Sequence, residues 1–139
     1  MIFVGSGLGK LNLINSKSLL DRYTNPNITK EDLFALAKEF KGDIPKGTYT
    51  SSWSLPYSVS KLNINTFVKI FAQYPAVVSK QIQVYGCCPG WVRTDLGGPT
   101  APKSLEEGIV CPLFMVQLPF KVNPDIQGKF FENNAPSQL

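Results

Sequence analysis

Short apolar runs that stop at glycine or proline alternate along this chain with segments of helical periodicity. Residues 2–4 stop at Gly5, residues 82–87 stop before Pro89, and residues 128–131 form a last run. Runs of this length between turn residues are typical of buried strands. Because strands that alternate with helices build parallel sheets with right-handed crossovers, the sequence predicts an α/β fold with about three parallel strands and flanking helices.

Three segments carry the apolar spacing and the end signals of α-helices. Thr29 is predicted to cap a helix over residues 30–40, and Pro56 suits the first position of a second helix. Ser104 is predicted to cap a third helix that runs toward Leu118. The sequence therefore predicts helices between and beyond the first two strands.

A turn is predicted at Asn25-Pro26-Asn27, before the first of these helices, and a loop is predicted at residues 42–56, after it. Residues 10–28 are polar and mixed, and residues 42–56 are rich in Gly, Pro, Ser and Thr. We expect Pro75 to end the second helix, because proline cannot continue a helical hydrogen-bond ladder.

The composition excludes several kinds of site. Of the 139 residues, 43% are apolar and 17% are charged, against about 25% charged in a typical soluble domain. The chain contains no histidine, which removes histidine metal sites, Ser-His-Asp triads and Cys-His pairs. The net charge of +4 comes mostly from lysines, which we interpret as solvated surface rather than as an anion site, with no nucleic-acid binding.

The three cysteines are predicted to be reduced thiols. Cys87 and Cys88 are adjacent, a spacing at which disulfides are strained, and Cys111 completes no metal-binding pattern with them. We therefore predict no metal site and an inert Cys88 thiol. The sequence shows neither a signal peptide nor a run of the roughly 18 apolar residues that a membrane helix needs, so we expect a cytoplasmic protein without membrane contact.

Tyr57 and Lys61 lie four residues apart on the second predicted helix and therefore share one face. A lone pair with this spacing is a weak signal. Here, however, a predicted strand that ends near Ser6 precedes the pair, and another that ends at Pro89-Gly90 follows it. A phenol is a weak acid at neutral pH, and an ammonium group one helical turn away stabilises its phenolate. The pair is therefore a candidate site, and the alternative is two ordinary residues on a helix surface.

Several segments together resemble the short-chain dehydrogenase/reductase family. They are Ser6, the run YSVSK at residues 57–61 and the run CCPGWVRTD at residues 87–95. This last run, the run KSLEEG at residues 103–108 and the long segment between Ser6 and Tyr57 resemble the carbonyl reductase branch. The resemblance implies that residues 1–139 form the C-terminal half of a Rossmann-like, doubly wound parallel sheet, with a helical insertion at about residues 17–50.

The resemblance also implies roles for individual residues. Tyr57 would protonate a carbonyl oxygen, Lys61 would support it, and Ser6 would hydrogen-bond the same oxygen. The implied cofactor-binding residues are Tyr57, Lys61, Pro89, Gly90, Val92 and Thr94, and the implied substrate residues are Trp91, Leu96 and Leu8. Two alternatives remain open, namely that Ser6 is only a loop residue and that Trp91 is a core residue.

The pyrophosphate-binding turn that the family uses is not found in the sequence. Residues 5–9 are rich in glycine, but Lys10 stands where the dinucleotide fingerprint requires glycine, and no amphipathic helix follows directly. The resemblance implies NADP(H), a small carbonyl substrate (a quinone, ketone or aldehyde) and mostly monomeric full-length relatives. Because the dinucleotide-binding half is missing, we expect the chain alone to be inactive. The alternative function is a non-catalytic remnant that binds a partner through an open sheet edge.

Overall fold

A four-stranded sheet forms the centre of the computed structural model, which describes residues 1–139. The strands are β1 (Ile2–Val4), β2 (Tyr85–Cys88), β3 (Phe130–Glu132) and β4 (Ala135–Ser137), and they lie in the order β1-β2-β3-β4. The β1–β2 and β2–β3 pairs are parallel, whereas β4 runs antiparallel to β3. The predicted α/β fold with a parallel sheet is therefore confirmed, with a fourth strand that the sequence analysis did not predict.

The fourth strand follows from a tight hairpin at Asn133 and Asn134. Both residues have positive φ, 49° and 64°, which asparagine tolerates better than most residues and which two-residue hairpin turns require. The strand itself was missed because Ala135–Ser137 contains Pro136 and little β propensity. Proline is acceptable here because β4 is an edge strand.

Five α-helices and three short 3-10 turns surround the sheet. The helices are α1 (Lys17–Thr24), α2 (Lys30–Asp43), α3 (Pro56–Phe71), α4 (Pro75–Ser79) and α5 (Leu105–Val116), and the 3-10 turns are Leu11–Leu13, Ile44–Lys46 and Tyr49–Ser51. The predicted capping boxes at Thr29 and Ser104 are both present. Pro56 begins α3 as predicted.

One local prediction was wrong, and one helix was not delimited from the sequence. The polar, mixed segment before Thr29 contains α1, which Ser16 caps by accepting a hydrogen bond from the Leu19 amide at 3.4 Å. Pro75 does not end α3, which stops at Phe71, but begins α4 instead. Proline fits the first turn of a helix because the amide that it lacks would have no partner there.

Helices α3 and α5 cover opposite faces of the sheet. Val84, just before β2, packs in a cluster with Val68 of α3. The next residue, Tyr85, packs with Cys111 and Met115 of α5. Because successive residues of an extended segment point to opposite faces, the two helices must lie on either side of β2.

A separate apolar core joins α1, α2 and α3. Residues of α1, α2 and α3 pack around Trp53, whose side chain is 1% exposed. The segment at about residues 17–50 is therefore helical; its interpretation as an insertion rests on the resemblance and stays a prediction. No helix is both long and apolar enough to cross a lipid bilayer.

Candidate active site at the carboxyl ends of the parallel strands

Three chain segments meet at the carboxyl edge of the parallel strands. Val4 at the end of β1 pairs with Cys87, and Cys87 pairs with Phe131 of β3, so the strands end at nearly the same level. The segments are the loop at residues 5–9, the first turns of α3 and the turn at residues 89–98. Open parallel sheets bind their ligands at this edge.

Tyr57 and Lys61 lie at the start of α3 and face the end of β1. The Lys61 ammonium is 5.7 Å from the centroid of the Tyr57 ring, and it donates a hydrogen bond of 3.5 Å to the carbonyl oxygen of Val4. Tyr57 is 50% exposed, so a ligand can reach its phenol. The structure thus brings a cation, an accessible phenol and the end of β1 together.

Ser6 is buried in the loop that follows β1. Its hydroxyl oxygen accepts a hydrogen bond from the Leu8 amide at 3.1 Å. No protein acceptor takes the hydroxyl proton, so Ser6 can still donate to an oxygen atom of a ligand. The site therefore contains two hydroxyl donors of different kinds, one exposed and one buried.

Cys88 connects the Ser6 loop with the turn after β2. Its sulfur accepts hydrogen bonds from the Gly7 amide at 3.2 Å and from the Gly90 amide at 3.3 Å. The sequence analysis treated Cys88 only as a thiol and missed this contact, because Gly7 and Cys88 are far apart in the chain. Cys87, the preceding residue of β2, is buried, and burial raises the pKa of its thiol to about 11.

The turn after β2 carries the predicted cofactor-binding residues other than Tyr57 and Lys61. Gly90 has a φ of 86°, a value that favours glycine, and it lets the chain reverse directly after Pro89. Val92 forms a parallel bridge with Lys103. The exposed Thr94 hydroxyl accepts from the Gly97 amide at 3.0 Å and so closes the turn.

The predicted substrate residues are exposed. The exposed fractions are 58% for Trp91, 94% for Leu96 and 56% for Leu8. Trp91 is held by a hydrogen bond of 2.8 Å from its indole nitrogen to the Gly97 carbonyl oxygen. Of the two alternatives for Trp91, the structure excludes the core position. Leu8 belongs to the Ser6 loop, and Trp91 and Leu96 belong to the turn after β2.

An ion pair that the sequence did not indicate holds the same edge. Lys10 lies 2.5 Å from the Glu132 carboxylate of β3, which also accepts a hydrogen bond of 2.8 Å from Ser137 of β4. Burial acts to raise the pKa of Glu132, but the hydrogen bonds from Lys10 and Ser137 outweigh it and lower the pKa. Lys10, which follows the Ser6 loop, is thus tied to β3, and the same carboxylate joins β3 to β4.

This ion pair should make stability depend on pH. A carboxyl group whose pKa is lowered by folding contributes stability above its ordinary pKa of about 4.3 and loses that contribution as the pH falls through its folded value. We expect Glu132→Gln to be less stable than the unmodified chain at neutral pH, with a difference that shrinks below about pH 4. Urea unfolding at both pH values measures this. The exposed Lys17–Asp21 pair provides the control, and an Asp21→Asn variant with an equal loss would contradict the prediction.

Comparison with known proteins shows which proteins this chain resembles. The chain is 38% identical to rabbit (Oryctolagus cuniculus) carbonyl reductase [NADPH] 1 over 117 residues, which are 81% of this chain and 41% of the rabbit protein. The human (Homo sapiens) protein of the same name is 37% identical over the same shares. This chain is a relative of the carbonyl reductases. The resemblance to the carbonyl reductase branch of the short-chain dehydrogenase/reductases is therefore confirmed.

This chain spans about two fifths of the length of these proteins. Solved reductases share its fold. Salutaridine reductase from Papaver somniferum matches with a TM-score of 0.80 at 20% identity, over 94% of this chain and 44% of that one. Menthone neomenthol reductase from Mentha piperita matches with a TM-score of 0.67 at 22% identity, over 94% and 39%. No protein-family model matches the chain.

Proposed function

We propose that this chain carries the catalytic and substrate-binding part of an NADPH-dependent reductase of carbonyl compounds. The observation that supports this most directly is the position of the Lys61 ammonium, which lies between the Tyr57 ring and the end of β1 that leads into Ser6. The carbonyl reductases that the chain resembles support the same class of reaction.

The three side chains have complementary roles in this proposal. The Tyr57 phenol donates its proton to the oxygen of the substrate carbonyl, and the adjacent Lys61 ammonium stabilises the phenolate that remains. The Ser6 hydroxyl donates a hydrogen bond to the same oxygen as negative charge develops there. NADPH, when bound, supplies the hydride that the carbonyl carbon receives.

The residues present fit the nicotinamide end of the cofactor. Lys61 has three N–H donors and uses one on Val4, which leaves two for the hydroxyls of a ribose. Tyr57 lies beside it, and the turn at Pro89, Gly90, Val92 and Thr94 borders the same edge and offers an exposed hydroxyl at Thr94. We propose that these residues bind the nicotinamide nucleoside.

We further propose that the chain alone binds NADPH weakly and is inactive. The loop at residues 5–9 packs against α3 and is followed by the 3-10 turn Leu11–Leu13 rather than by an α-helix. A pyrophosphate is normally held at the N-terminus of an α-helix, so this glycine-rich loop does not supply that site.

The proposed substrates are small apolar carbonyl compounds. Trp91, Leu96 and Leu8 expose apolar surface on the two loops that border Tyr57 and Ser6. Exposed apolar surface of this kind favours aromatic or aliphatic quinones, ketones and aldehydes over strongly charged molecules. By the same resemblance, we propose a protein of the cytoplasm whose full-length relatives are mostly monomeric.

A chimera tests the proposed function. In it, this chain replaces the matching two fifths of rabbit carbonyl reductase, and NADPH consumption is followed with a quinone or an aldehyde. We expect the chimera to reduce the carbonyl compound and the 139-residue chain alone not to do so. A chimera that folds and binds NADPH but shows no turnover would contradict the catalytic assignment, and turnover by the chain alone would contradict its proposed inactivity.

One observation favours the alternative function of a non-catalytic, partner-binding chain. The Tyr85 amide donates to the Met1 carbonyl, and the Gly5 amide donates to the Cys87 carbonyl, so Ile2 and Val4 turn their backbone groups away from β2. The Val4 carbonyl accepts from Lys61, which leaves the Ile2 groups and the Val4 amide for a partner. Edge strands with free backbone groups pair readily with other chains. A folded chimera that binds NADPH without turning over substrate favours this alternative.

A further inference from the structure

Asn65 is a buried polar residue of α3 that has no role in the reaction proposed above. Its side chain is 1% exposed, and its amide nitrogen donates two hydrogen bonds of 2.9 Å, one to the Ser6 carbonyl and one to the Gly9 carbonyl. The Gly9 amide in turn donates to Ser6 at 2.9 Å. One side chain therefore spans both ends of the loop that contains Ser6.

The loop is pressed against α3 at the two glycines that flank it. A Cβ at Gly9 would lie 2.5 Å from the Lys61 carbonyl carbon and 2.6 Å from the Leu62 nitrogen. A Cβ at Gly5 would lie 2.0 Å from the Asn65 side-chain oxygen. Since real Cβ atoms do not approach so closely, only glycine lets the loop reach this distance from the helix.

The arrangement of the Asn65 amide indicates that its two donors matter more than its oxygen. The side-chain oxygen is buried without a hydrogen-bond partner, which costs stability. The flipped amide would place that oxygen against two carbonyl oxygens, so the hydrogen bonds fix its orientation. A residue needed only for packing would not require this unsatisfied oxygen.

We propose that Asn65 is a positioning residue that holds the Ser6 loop against the helix turn that carries Lys61; this inference rests on the proposed function. Tyr57, Lys61 and Asn65 follow one another at intervals of four residues and share one face of α3. The Ser6 hydroxyl is oriented within the same loop by the Leu8 amide. Asn65 therefore sets the position of the Ser6 donor relative to the Tyr57 phenol.

The two hydrogen bonds from Asn65 to the Ser6 loop are called the Asn65 clamp below. Amide hydrogen exchange on the 139-residue chain tests this clamp and requires no enzyme activity. In Asn65→Leu, which keeps the bulk and removes both donors, we expect the Leu8 and Gly9 amides to exchange about tenfold faster, the factor of roughly one lost hydrogen bond. Exchange in α2 should be unchanged. Asn63→Leu is the matched control, because Asn63 lies on the same helix but bonds Tyr23.

A second variant and a kinetic measurement complete the test. Asn65→Asp keeps the shape but places an acceptor where the donor stood, and it should increase the same two exchange rates.

In the rabbit chimera, Asn65→Leu should lower kcat about tenfold and leave the KM for NADPH unchanged, the pattern of a displaced Ser6. Unchanged loop exchange in both variants, or faster exchange throughout the core, would overturn the clamp. An unchanged kcat in an active chimera would overturn its role in positioning, whereas an inactive parent chimera counts only against the proposed function.

Discussion

Tyr57→Phe should lower the rate of carbonyl reduction by a factor of about 10²–10⁴, the usual contribution of a positioned general acid. The substitution removes only the phenolic hydroxyl, which is the group that would protonate the substrate oxygen beside Lys61. The ring is half exposed at the start of α3, so its loss of one oxygen should leave the fold unchanged. The rabbit chimera, assayed with saturating NADPH and a quinone or aldehyde, provides the rate.

The same chemical change at Tyr74 is a matched control for Tyr57. The Tyr74 hydroxyl is buried without a hydrogen-bond partner, so Tyr74→Phe removes an unsatisfied polar atom and should not reduce stability. It should also leave the rate unchanged, since Tyr74 follows α3 at the end far from Lys61. Equal rates for Tyr57→Phe and the parent chimera would show that Tyr57 does not protonate the substrate.

Trp53→Ala should destabilise the chain by about 3–5 kcal/mol, a large part of the roughly 5–15 kcal/mol that stabilises an ordinary domain. Trp53 is 1% exposed, and its ring meets the Phe40 ring edge to face at a centroid distance of 5.3 Å. Its indole nitrogen also donates to the Asp43 carboxylate at 3.2 Å. The substitution leaves a cavity where α1, α2 and α3 meet. Urea unfolding followed by circular dichroism measures the change.

Two further variants show which part of Trp53 matters. Phe34→Ala removes an aromatic ring that is 71% exposed on α2, and its free energy of unfolding should stay within about 0.5 kcal/mol of the parent value. Trp53→Phe keeps an aromatic ring but loses the hydrogen bond to Asp43. Its free energy of unfolding should lie between those of Trp53→Ala and Phe34→Ala. If Phe34→Ala lowered the free energy of unfolding as much as Trp53→Ala does, the loss in Trp53→Ala could not be assigned to packing in the core.

The features that depend on neighbouring residues could be predicted from the sequence. The pairing of Tyr57 with Lys61 follows from helical periodicity, and the caps at Thr29 and Ser104 follow from side chains that bond amides three residues on. The parallel sheet also followed from a local signal, namely the alternation of strand and helix along the chain. Where two local signals competed, the sequence was ambiguous: Pro75 was compatible with either the end of one helix or the start of the next.

The features that depend on distant residues required the tertiary structure. The Asn65 clamp, the Cys88 contact with the Gly7 amide and the Lys10–Glu132 ion pair each join segments that are far apart in the chain. No periodicity or short motif encodes such contacts, because they exist only once the strands have paired and the helices have packed. The sequence by itself therefore determined the fold class and the pairing of Tyr57 with Lys61 on one face of α3. Only the packing of α3 against β1 and β2 decided how the Ser6 loop is held beside that pair.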